Sequence, residues 1–524
     1  MACISGLAGW EEKLIIIIMY RTSVANRVIK NTIWLYVKVG VQLFTTLWAT
    51  RIVLNTLGAS DFGIFNIVGG AIAMLGFLNT SMAVATQRFM SYSEGEGNAE
   101  RQKEIFNVSM LMHLSIAAII ILALIILGFV FFNGILSIPL GRENAAYFVY
   151  ASLILSTVFT IISVPYDAVI NAHENMRFYA FVGIFQAVLK LLVAFACFYV
   201  TYDKLITYGI LMACVPGVIL VIMLTYCHKK YDECIFNIRK YFNKDVLREM
   251  TNFAGWNFLG ISSSMIGNYS QNIILNHFFG VLVNAAMGII VQLCGQLMVL
   301  TTNMMKAVNP VITKLAGSKN EKEMLHWSFT SCRFSYLLLA WIAIPFCFES
   351  NYLLRIWLKN VPEWTVIFIR LQLVRTLLEQ LSLGMNTALN AQNKIKKLNI
   401  QSTYLFFIAV IVICLLFYLG YPPYMLFIVM IALIIVQTLL KLQLCHKYIG
   451  MGYISYLRDV FLPSAFLTMA MVMVGVVSSC YMEEGLVRTV ITFISTWIVM
   501  LLVFVSCFMK KDEKLMLSRL IRKK

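Results

Sequence analysis

Long apolar segments recur along almost the whole chain, and they constrain the fold more than any other feature. Fourteen of them have membrane-spanning length, with approximate limits 29–50, 61–83, 105–132, 146–166, 178–200, 205–226, 251–275, 280–303, 330–349, 363–388, 399–419, 423–444, 459–480 and 487–509. A helix needs about 20 apolar residues to cross a bilayer, and a lipid-exposed backbone must satisfy its own hydrogen bonds. We therefore predict an all-α polytopic membrane protein with fourteen transmembrane helices.

The composition agrees with a membrane protein. Of 524 residues, 60% are hydrophobic and 13% are charged, whereas soluble domains are about 45–50% apolar and about 25% charged. The net charge of +17 could indicate nucleic acid in a soluble chain, but cations in membrane proteins chiefly set orientation. With the N-terminus placed inside, most of the 42 lysines and arginines fall in segments on the inner side. We therefore predict cytoplasmic N- and C-termini and no nucleic-acid partner.

An internal repeat predicts two similar lobes. The sequence I-V-L-N-T-L-G at 52–58 returns as I-I-L-N-H-F-F-G at 273–280, and N-T-S-M at 79–82 returns as T-T-N-M at 301–304. Transporters built from such parallel repeats hold their substrate between the halves. The predicted organisation is a cytoplasmic N-terminal segment at 1–28, a six-helix lobe at 29–226, a basic cytoplasmic linker at 227–249, a six-helix lobe at 250–445, helices 13 and 14 at 446–509, and a basic cytoplasmic tail at 510–524.

The first residues contain a short apolar run at 14–20. It is too short to span a bilayer and lacks a small-residue cleavage site, so we expect no cleaved signal peptide. Both Met1 and Met19 are candidate starts.

Polar and charged residues inside the predicted spans are the candidate substrate-binding residues, because they are costly at membrane depth and usually face a cavity or another helix. Lys38 and Gln42 share one helical face, and Lys38 and Lys190 have no carboxylate within one turn of their own helices. We therefore expect an anionic ligand. The candidates are Lys38, Gln42, Lys190, Asn268, Gln271, Arg370, Arg375 and Glu379.

Three alternatives remain for these residues. The uncharged polar side chains can serve as hydrogen-bonding contacts between helices. Lys190 can extend toward the membrane interface, and Arg375 with Glu379 can form an internal ion pair at i, i+4.

Several patterns typical of enzymes are missing from the sequence. There is no G-x-x-x-x-G-K-[ST] loop, no C-x-x-C pair and no H-E-x-x-H. The predicted outer loops are short and leave no room for a catalytic domain. We therefore expect a transporter rather than an enzyme, with no catalytic residues, no cofactor and no metal site.

One stretch resembles a known family. Residues 51–66 read R-I-V-L-N-T-L-G-A-S-D-F-G-I-F-N, which is similar to the first outer loop of bacterial polysaccharide flippases, the Wzx-type O-antigen and capsule translocases. These belong to the multidrug, oligosaccharidyl-lipid and polysaccharide exporter superfamily, with the MATE exporters and the lipid II flippases. The residues that carry the resemblance are Asn55, Gly58, Asp61, Phe62 and Gly63.

The resemblance implies a flippase of the bacterial inner membrane. Its substrate would be an oligosaccharide repeat unit linked to undecaprenyl diphosphate, moved by alternating access for O-antigen, lipopolysaccharide, capsule or exopolysaccharide synthesis. Implied partners are this lipid-linked oligosaccharide, membrane lipids, and, as candidates, a polysaccharide polymerase and a chain-length regulator. In such a protein, cavity-lining cations would engage the diphosphate or acidic sugars, and the matching candidates are Lys38, Lys190, Arg370 and Arg375. The cationic cluster of lipid II flippases has no clear match.

Two other functions remain open from the sequence. A MATE-like, ion-coupled exporter of small cationic molecules would need a cavity rich in carboxylates, whereas cations predominate within these spans. A membrane scaffold for glycan assembly without transport is disfavoured by the polar helix faces.

Overall fold

Helices make up nearly all of the chain. The computed structural model describes residues 2–73, 76–132, 141–358, 361–504 and 506, with the backbone alone for residues 2–22 and a few later positions. The helices are α1 Ala2–Ala73, α2 Gly76–Glu96, α3 Ala99–Val130, α4 Glu143–Ala172, α5 Met176–Tyr199, α6 Lys204–Lys230, α7 Ile238–Tyr241, α8 Lys244–Gly317, α9 Glu321–Leu358, α10 Thr365–Gln380, α11 Leu383–Ala391, α12 Ile395–Tyr418, α13 Met425–Ile449, α14 Tyr453–Tyr456, α15 Leu462–Tyr481 and α16 Leu486–Val503. No strand occurs in these ranges, so the all-α prediction is confirmed. The predicted basic tail lies outside them.

Eleven helical segments among the described residues are long and apolar enough to cross a membrane. The predicted spans 61–83, 251–275 and 363–388 are not among the eleven, and the first of them crosses residues 74–75, which lie outside the described ranges. In the last of them, α10 ends at Gln380 and α11 begins at Leu383, so one predicted helix is two. A polytopic membrane protein is confirmed, whereas the number fourteen stays a prediction.

Two glycines interrupt the longest helices at corresponding positions of the repeat. Gly58 in α1 has φ 79° and ψ 168°, and Gly280 in α8 has φ 79° and ψ −175°. A residue with a side chain rarely adopts this φ, whereas glycine does so at little energetic penalty. The two repeated segments found in the sequence therefore end in the same backbone conformation.

The two halves also correspond in the packing of their last helices, α6 and α13. The Cys227 thiol in α6 donates to the Tyr166 carbonyl in α4 over 4.0 Å, and the Cys445 thiol in α13 donates to the Met385 carbonyl in α11 over 3.9 Å. The sequence around both cysteines reads C-H-K. Equivalent helices therefore pack in the same way in both halves.

Helices α2 and α8 cross at a pair of glycines near the end of the molecule that we predict to be cytoplasmic. A Cβ atom on Gly95 would collide with the Lys314 backbone, and a Cβ atom on Gly317 would collide with the Tyr92 backbone. Gly95 and Tyr92 in the first half occupy the same positions of the repeat as Gly317 and Lys314 in the second half. Glycine at both positions allows the backbones of the two predicted lobes to touch.

A buried ion pair attaches α16 to α9. The Glu349 carboxylate is fully buried and accepts hydrogen bonds from Arg488 Nε and Nη2, each over 3.1 Å. Thr489 and Thr492 donate to the same carboxylate over 3.2 and 3.0 Å. Arg488 lies at the start of the predicted span 487–509, and its side chain is 7% exposed. This arginine fixes a helix in place.

We expect Glu349→Leu to destabilise the protein by about 3–5 kcal/mol, because Arg488 would keep a buried charge without its partner. Thermal unfolding of the purified protein in detergent measures the effect as a lower Tm. The double variant Glu349→Leu with Arg488→Leu should recover much of the loss. A single variant as stable as the wild type would contradict this role.

Candidate functional site

Two lysines from different halves of the chain meet at one tyrosine ring. Lys38 Nζ in α1 lies 4.2 Å from the centroid of the Tyr179 ring in α5, and Lys306 Nζ in α8 lies 3.7 Å from it. Lys306 also donates a hydrogen bond to the Tyr179 hydroxyl. The two ammonium groups are therefore within about 8 Å of each other, a range over which like charges repel appreciably in a membrane protein.

Close packing of α1 on α5 fixes the position of Lys38. A Cβ atom on Gly183 would collide with Lys38 Cε, so the glycine leaves the space that the lysine stem occupies. Gln42 Nε2, one turn after Lys38, donates to the Gly183 carbonyl over 3.4 Å. The predicted pair Lys38 and Gln42 thus lies together on the face of α1 that contacts α5.

The sequence pattern missed Lys306. It follows the predicted span 280–303, whereas α8 continues through Pro310 to Gly317. The signal for its position was that no glycine or proline lies between the apolar segment and Lys306. Tyr36 in α1 donates to the Leu300 carbonyl in α8 over 3.0 Å, which brings the two helices together near the lysines.

One carboxylate accompanies the two lysines. Asp167 in α4 interacts electrostatically with both Lys306 and Lys38. The cluster therefore contains two cationic side chains and one carboxyl group, a composition that favours an anionic ligand. Lys190 lies on the same face of α5 as Gly183, two turns further on, and its side chain is exposed.

A second cluster of charges lies within the C-terminal half. Glu379 in α10 interacts electrostatically with Arg375 and with Lys441 in α13. Lys441 donates to Ser382 Oγ over 3.0 Å, at the break between α10 and α11. The predicted span 363–388 runs through Ser382 as one helix, which is wrong because the helix breaks there. Lys441 lies within the predicted span 423–444 but was not among the candidate residues.

The remaining predicted residues lie apart from these clusters. Arg370 Nε donates to the Cys347 carbonyl and to Ser350 Oγ, each over 2.9 Å, and so joins α10 to α9. Gln271 is buried, and its amide atoms have no hydrogen-bond partner within the described ranges. The side chain of Asn268 lies outside those ranges.

The motif at 51–66 contains the kink at Gly58 and links α1 to two other helices. After Gly58, the Asp61 carboxylate accepts from Arg142 Nε over 2.9 Å, and Arg142 Nη1 donates to Asp203 over 2.5 Å. These residues connect α1, just after its kink, with the starts of α4 and α6 at the end that we predict to be periplasmic. Phe62 packs with apolar residues of the same region.

The other two motif residues have fewer constraints. Asn55 is exposed, and a Cβ atom on Gly63 would meet no neighbour within 4 Å. The motif is therefore explained mainly by the Gly58 backbone and the Asp61 carboxylate.

A network of ion pairs surrounds the glycine crossing at the predicted cytoplasmic end. Lys314 Nζ lies 3.1 Å from a Glu174 carboxylate oxygen and 3.7 Å from one of Glu94. His173 lies 3.2 Å from Glu94 through Nδ1 and 2.5 Å from Glu233 through Nε2. Lys314 belongs to the C-terminal half and its partners to the N-terminal half, so the network joins the two.

Arg88 in α2 joins the halves in the opposite direction. Its Nε donates to the Asn390 carbonyl over 3.1 Å, and its Nη2 donates to the Ala391 carbonyl over 2.9 Å, both at the end of α11. Cations favour the carboxyl end of a helix, where carbonyl groups lack intrahelical partners. This end of the molecule is therefore closed by one cation from each half.

The network shifts the pKa of two of its members. Burial alone would raise the pKa of Glu94, but the hydrogen bond with His173 and the charges of His173 and Lys314 lower it to about 2. Burial alone would lower the pKa of His173, but hydrogen bonds with Glu233 and Glu94 raise it to about 9. The His173 ring also stacks on Tyr231, with centroids 4.3 Å apart. His173 is therefore an imidazolium at neutral pH.

We expect the network to weaken at alkaline pH. Because the pKa of His173 is raised, its contribution is fully present below the usual value of 6.5 and is lost as the pH rises through about 9. Thermal unfolding at pH values from 6 to 10 should show a larger fall of Tm for the wild type than for His173→Gln. His277→Gln, at an exposed histidine, should follow the wild type. Parallel profiles for wild type and His173→Gln would contradict this account.

No cluster of three His, Cys, Asp or Glu side chains that could hold a metal ion occurs in the part of the chain that the structure describes. No family model and no curated protein matches the sequence.

Solved structures of transporters match the fold. The crystal structure of a MATE protein in the bent conformation is 12% identical, with a TM-score of 0.71 over 82% of this chain and 96% of that one. An outward-facing multidrug resistance MATE family transporter of the MOP superfamily is 12% identical, with a TM-score of 0.68 over 81% of this chain and 95% of that one.

A third match is a MOP superfamily transporter from Pyrococcus furiosus Vc1, described as having a binding pocket of reverse polarity. It is 12% identical, with a TM-score of 0.66 over 81% of this chain and 96% of that one. About a fifth of this chain therefore lies outside each match. At such low identity the likeness concerns the fold, and the chain is a multi-pass membrane protein with the fold of the MATE transporters.

Proposed function

We propose that the protein is a flippase that moves an undecaprenyl-diphosphate-linked oligosaccharide across the bacterial inner membrane for surface polysaccharide synthesis. The observation that supports this most is the pair of ammonium groups of Lys38 and Lys306 on the Tyr179 ring. The proposal includes the predicted cytoplasmic termini, and a polysaccharide polymerase and chain-length regulator as partners.

The chemistry of a diphosphate suits this pair. A diphosphate cannot cross hydrocarbon without compensating charges, and two ammonium groups within about 8 Å can each contact one phosphate. A polyprenyl chain is apolar and can stay in the bilayer while its head group passes through the protein. The excess positive charge of Lys38, Lys306 and Asp167 would be neutralised by the substrate.

The origin of the two lysines supports alternating access. Lys38 belongs to the N-terminal half and Lys306 to the C-terminal half, so any relative movement of the halves changes the separation of the two charges. Substrate bound to both lysines would favour one arrangement over another. The ion pairs of Lys314 and the hydrogen bonds of Arg88 close the predicted cytoplasmic end, and they would have to open for substrate to enter there.

An exporter of small cations is the competing function, and the MATE fold suits it equally well. The charges support it less. Asp167 interacts with two lysines, and Glu379 interacts with Arg375 and Lys441. A cationic substrate at either carboxylate would meet two positive charges beside it. A MATE-like fold also accommodates other pockets, since one of the similar structures is described as having a pocket of reverse polarity.

We expect Lys38→Ala and Lys306→Ala each to reduce surface glycan in a strain that depends on this protein, because each variant loses one of two charges for the diphosphate. The glycan is measured by gel electrophoresis and the protein by immunoblotting. Lys322→Ala is the matched control, since Lys322 is exposed and lies near the start of α9.

Losing one well-placed charged hydrogen bond costs about 1.5–3 kcal/mol, which corresponds to a reduction of about ten- to a hundredfold in substrate affinity. Normal glycan in both variants, at normal protein levels, would remove these lysines from the substrate site. Sensitivity to cationic drugs with unchanged glycan would favour the competing function.

A further inference from the structure

A pocket lies at the end of α9 opposite the glycine crossing, which is the predicted periplasmic end. Helix α9 starts at Glu321, shortly after Gly317, and ends at Leu358. The last turns of α9, the residues just before α10 and the first turns of α10 form the pocket. Its volume is about 760 Å³, within the range of small-ligand sites. The lining includes Asn351, Arg355, Glu363, Trp364 and Arg370.

Two guanidinium groups face this pocket. The Arg370 side chain is held in place because its Nε donates to the Cys347 carbonyl and to Ser350 Oγ. Its terminal nitrogens have no hydrogen-bond partner within the described ranges. The Arg355 side chain is 70% exposed and lies 3.9 Å from Glu484, so its charge is only weakly engaged.

Two of the protein's own carboxylates lie at this pocket: Glu363 is part of its lining, and Glu484 lies outside the lining but contacts Asn351 and Arg355, which are part of it. Glu484, in the loop between α15 and α16, accepts from Asn351 Nδ2 over 3.4 Å and lies near Arg355. An amide and a guanidinium that converge on a carboxylate form a recognition pattern for carboxylates in general. A ligand carboxylate can replace Glu484, which is itself 38% exposed.

An aromatic ring completes the lining. Trp364 is partly buried, and its ring lies 5.8 Å from that of Tyr424 at a tilt of 39°. A ring supported in this way offers an apolar face for contact, while arginine and asparagine beside it offer polar contacts. The flat face of a sugar ring has the same combination of apolar C–H groups and polar edges.

We propose that this pocket binds an acidic sugar residue of the transported oligosaccharide, with its ring on Trp364 and its carboxylate on Arg355 and Arg370. The choice of a sugar rests on the proposed function. The site is distinct from Lys38 and Lys306, since its residues belong to α9, α10 and the chain between them. An acidic sugar that binds here would be retained on the predicted periplasmic side after translocation.

Direct binding to the purified full chain tests the proposal. D-glucuronate is titrated by ligand-observed NMR, with D-glucose and inorganic pyrophosphate as separate probes. We expect glucuronate to bind and Trp364→Ala to weaken its affinity by about tenfold. Arg355→Gln should weaken it as well, and because this side chain is largely exposed, the variant should fold normally. Glu484→Gln should strengthen binding, because it removes a competing charge.

Trp48→Ala is the matched control, since Trp48 is an exposed tryptophan of α1 and should leave the affinity unchanged. Equal affinities in wild type and the Trp364 and Arg355 variants would overturn the proposal. Glucose that binds as tightly as glucuronate would overturn the role of the arginines, and pyrophosphate that displaces glucuronate with higher affinity would identify a phosphate site instead. Because no transport is measured, a negative result here leaves the roles of Lys38 and Lys306 to their own test.

Discussion

The hydrocarbon core of a membrane offers no water to a charged side chain, so a charge buried between helices needs a partner of opposite sign. The buried Glu349 carboxylate has this partner in Arg488 and accepts two further hydrogen bonds from hydroxyl groups. At the predicted periplasmic end, by contrast, Arg142 pairs with both Asp61 and Asp203, which leaves one negative charge in excess. An unbalanced cluster between helices is therefore informative. At Lys38, Lys306 and Asp167 cations outnumber carboxyl groups, and a transported anion would supply the missing negative charge.

The two halves share a backbone but differ in chemistry. Gly58 and Gly280 have the same conformation, and the glycine contacts at Gly95 and Gly317 correspond to each other. At the position in the repeat that corresponds to Lys38, 221 residues later, the second half has the apolar residue Leu259. Symmetry therefore explains how the helices are arranged, whereas the binding chemistry arises where the repeats have diverged.

Features that depend on local sequence were predicted well. Apolar segments of spanning length give the helices, and the repeated I-L-N motif indicates the two corresponding kinks. Lys38 was found because it interrupts an apolar segment. Lys306 was missed because α8 continues past the apolar segment 280–303, so a cation beyond that segment still lies on a helix. The break at Ser382 was missed because no proline marks it and the nearest glycine, Gly384, follows the break.

Features that depend on distant residues could not be predicted. The partners Glu349 and Arg488, or Lys314 and Glu174, are far apart in sequence and meet only when the helices pack. For the same reason the Asp61 motif could be matched to a family, but its contact with Arg142 could not be foreseen.

In the proposed mechanism, the two lysines at Tyr179 carry a lipid-linked diphosphate across the membrane. The most direct measurement uses the purified protein in vesicles that contain a fluorescent oligosaccharide linked to undecaprenyl diphosphate in both leaflets. A membrane-impermeant quencher then reports how fast the protected label reaches the outer surface. We expect wild-type protein to make the protected label accessible. We expect the double variant Lys38→Ala with Lys306→Ala to leave the label protected. Equal label movement by wild type and the double variant, or wild-type vesicles that move a small cationic dye but not the lipid, would contradict it.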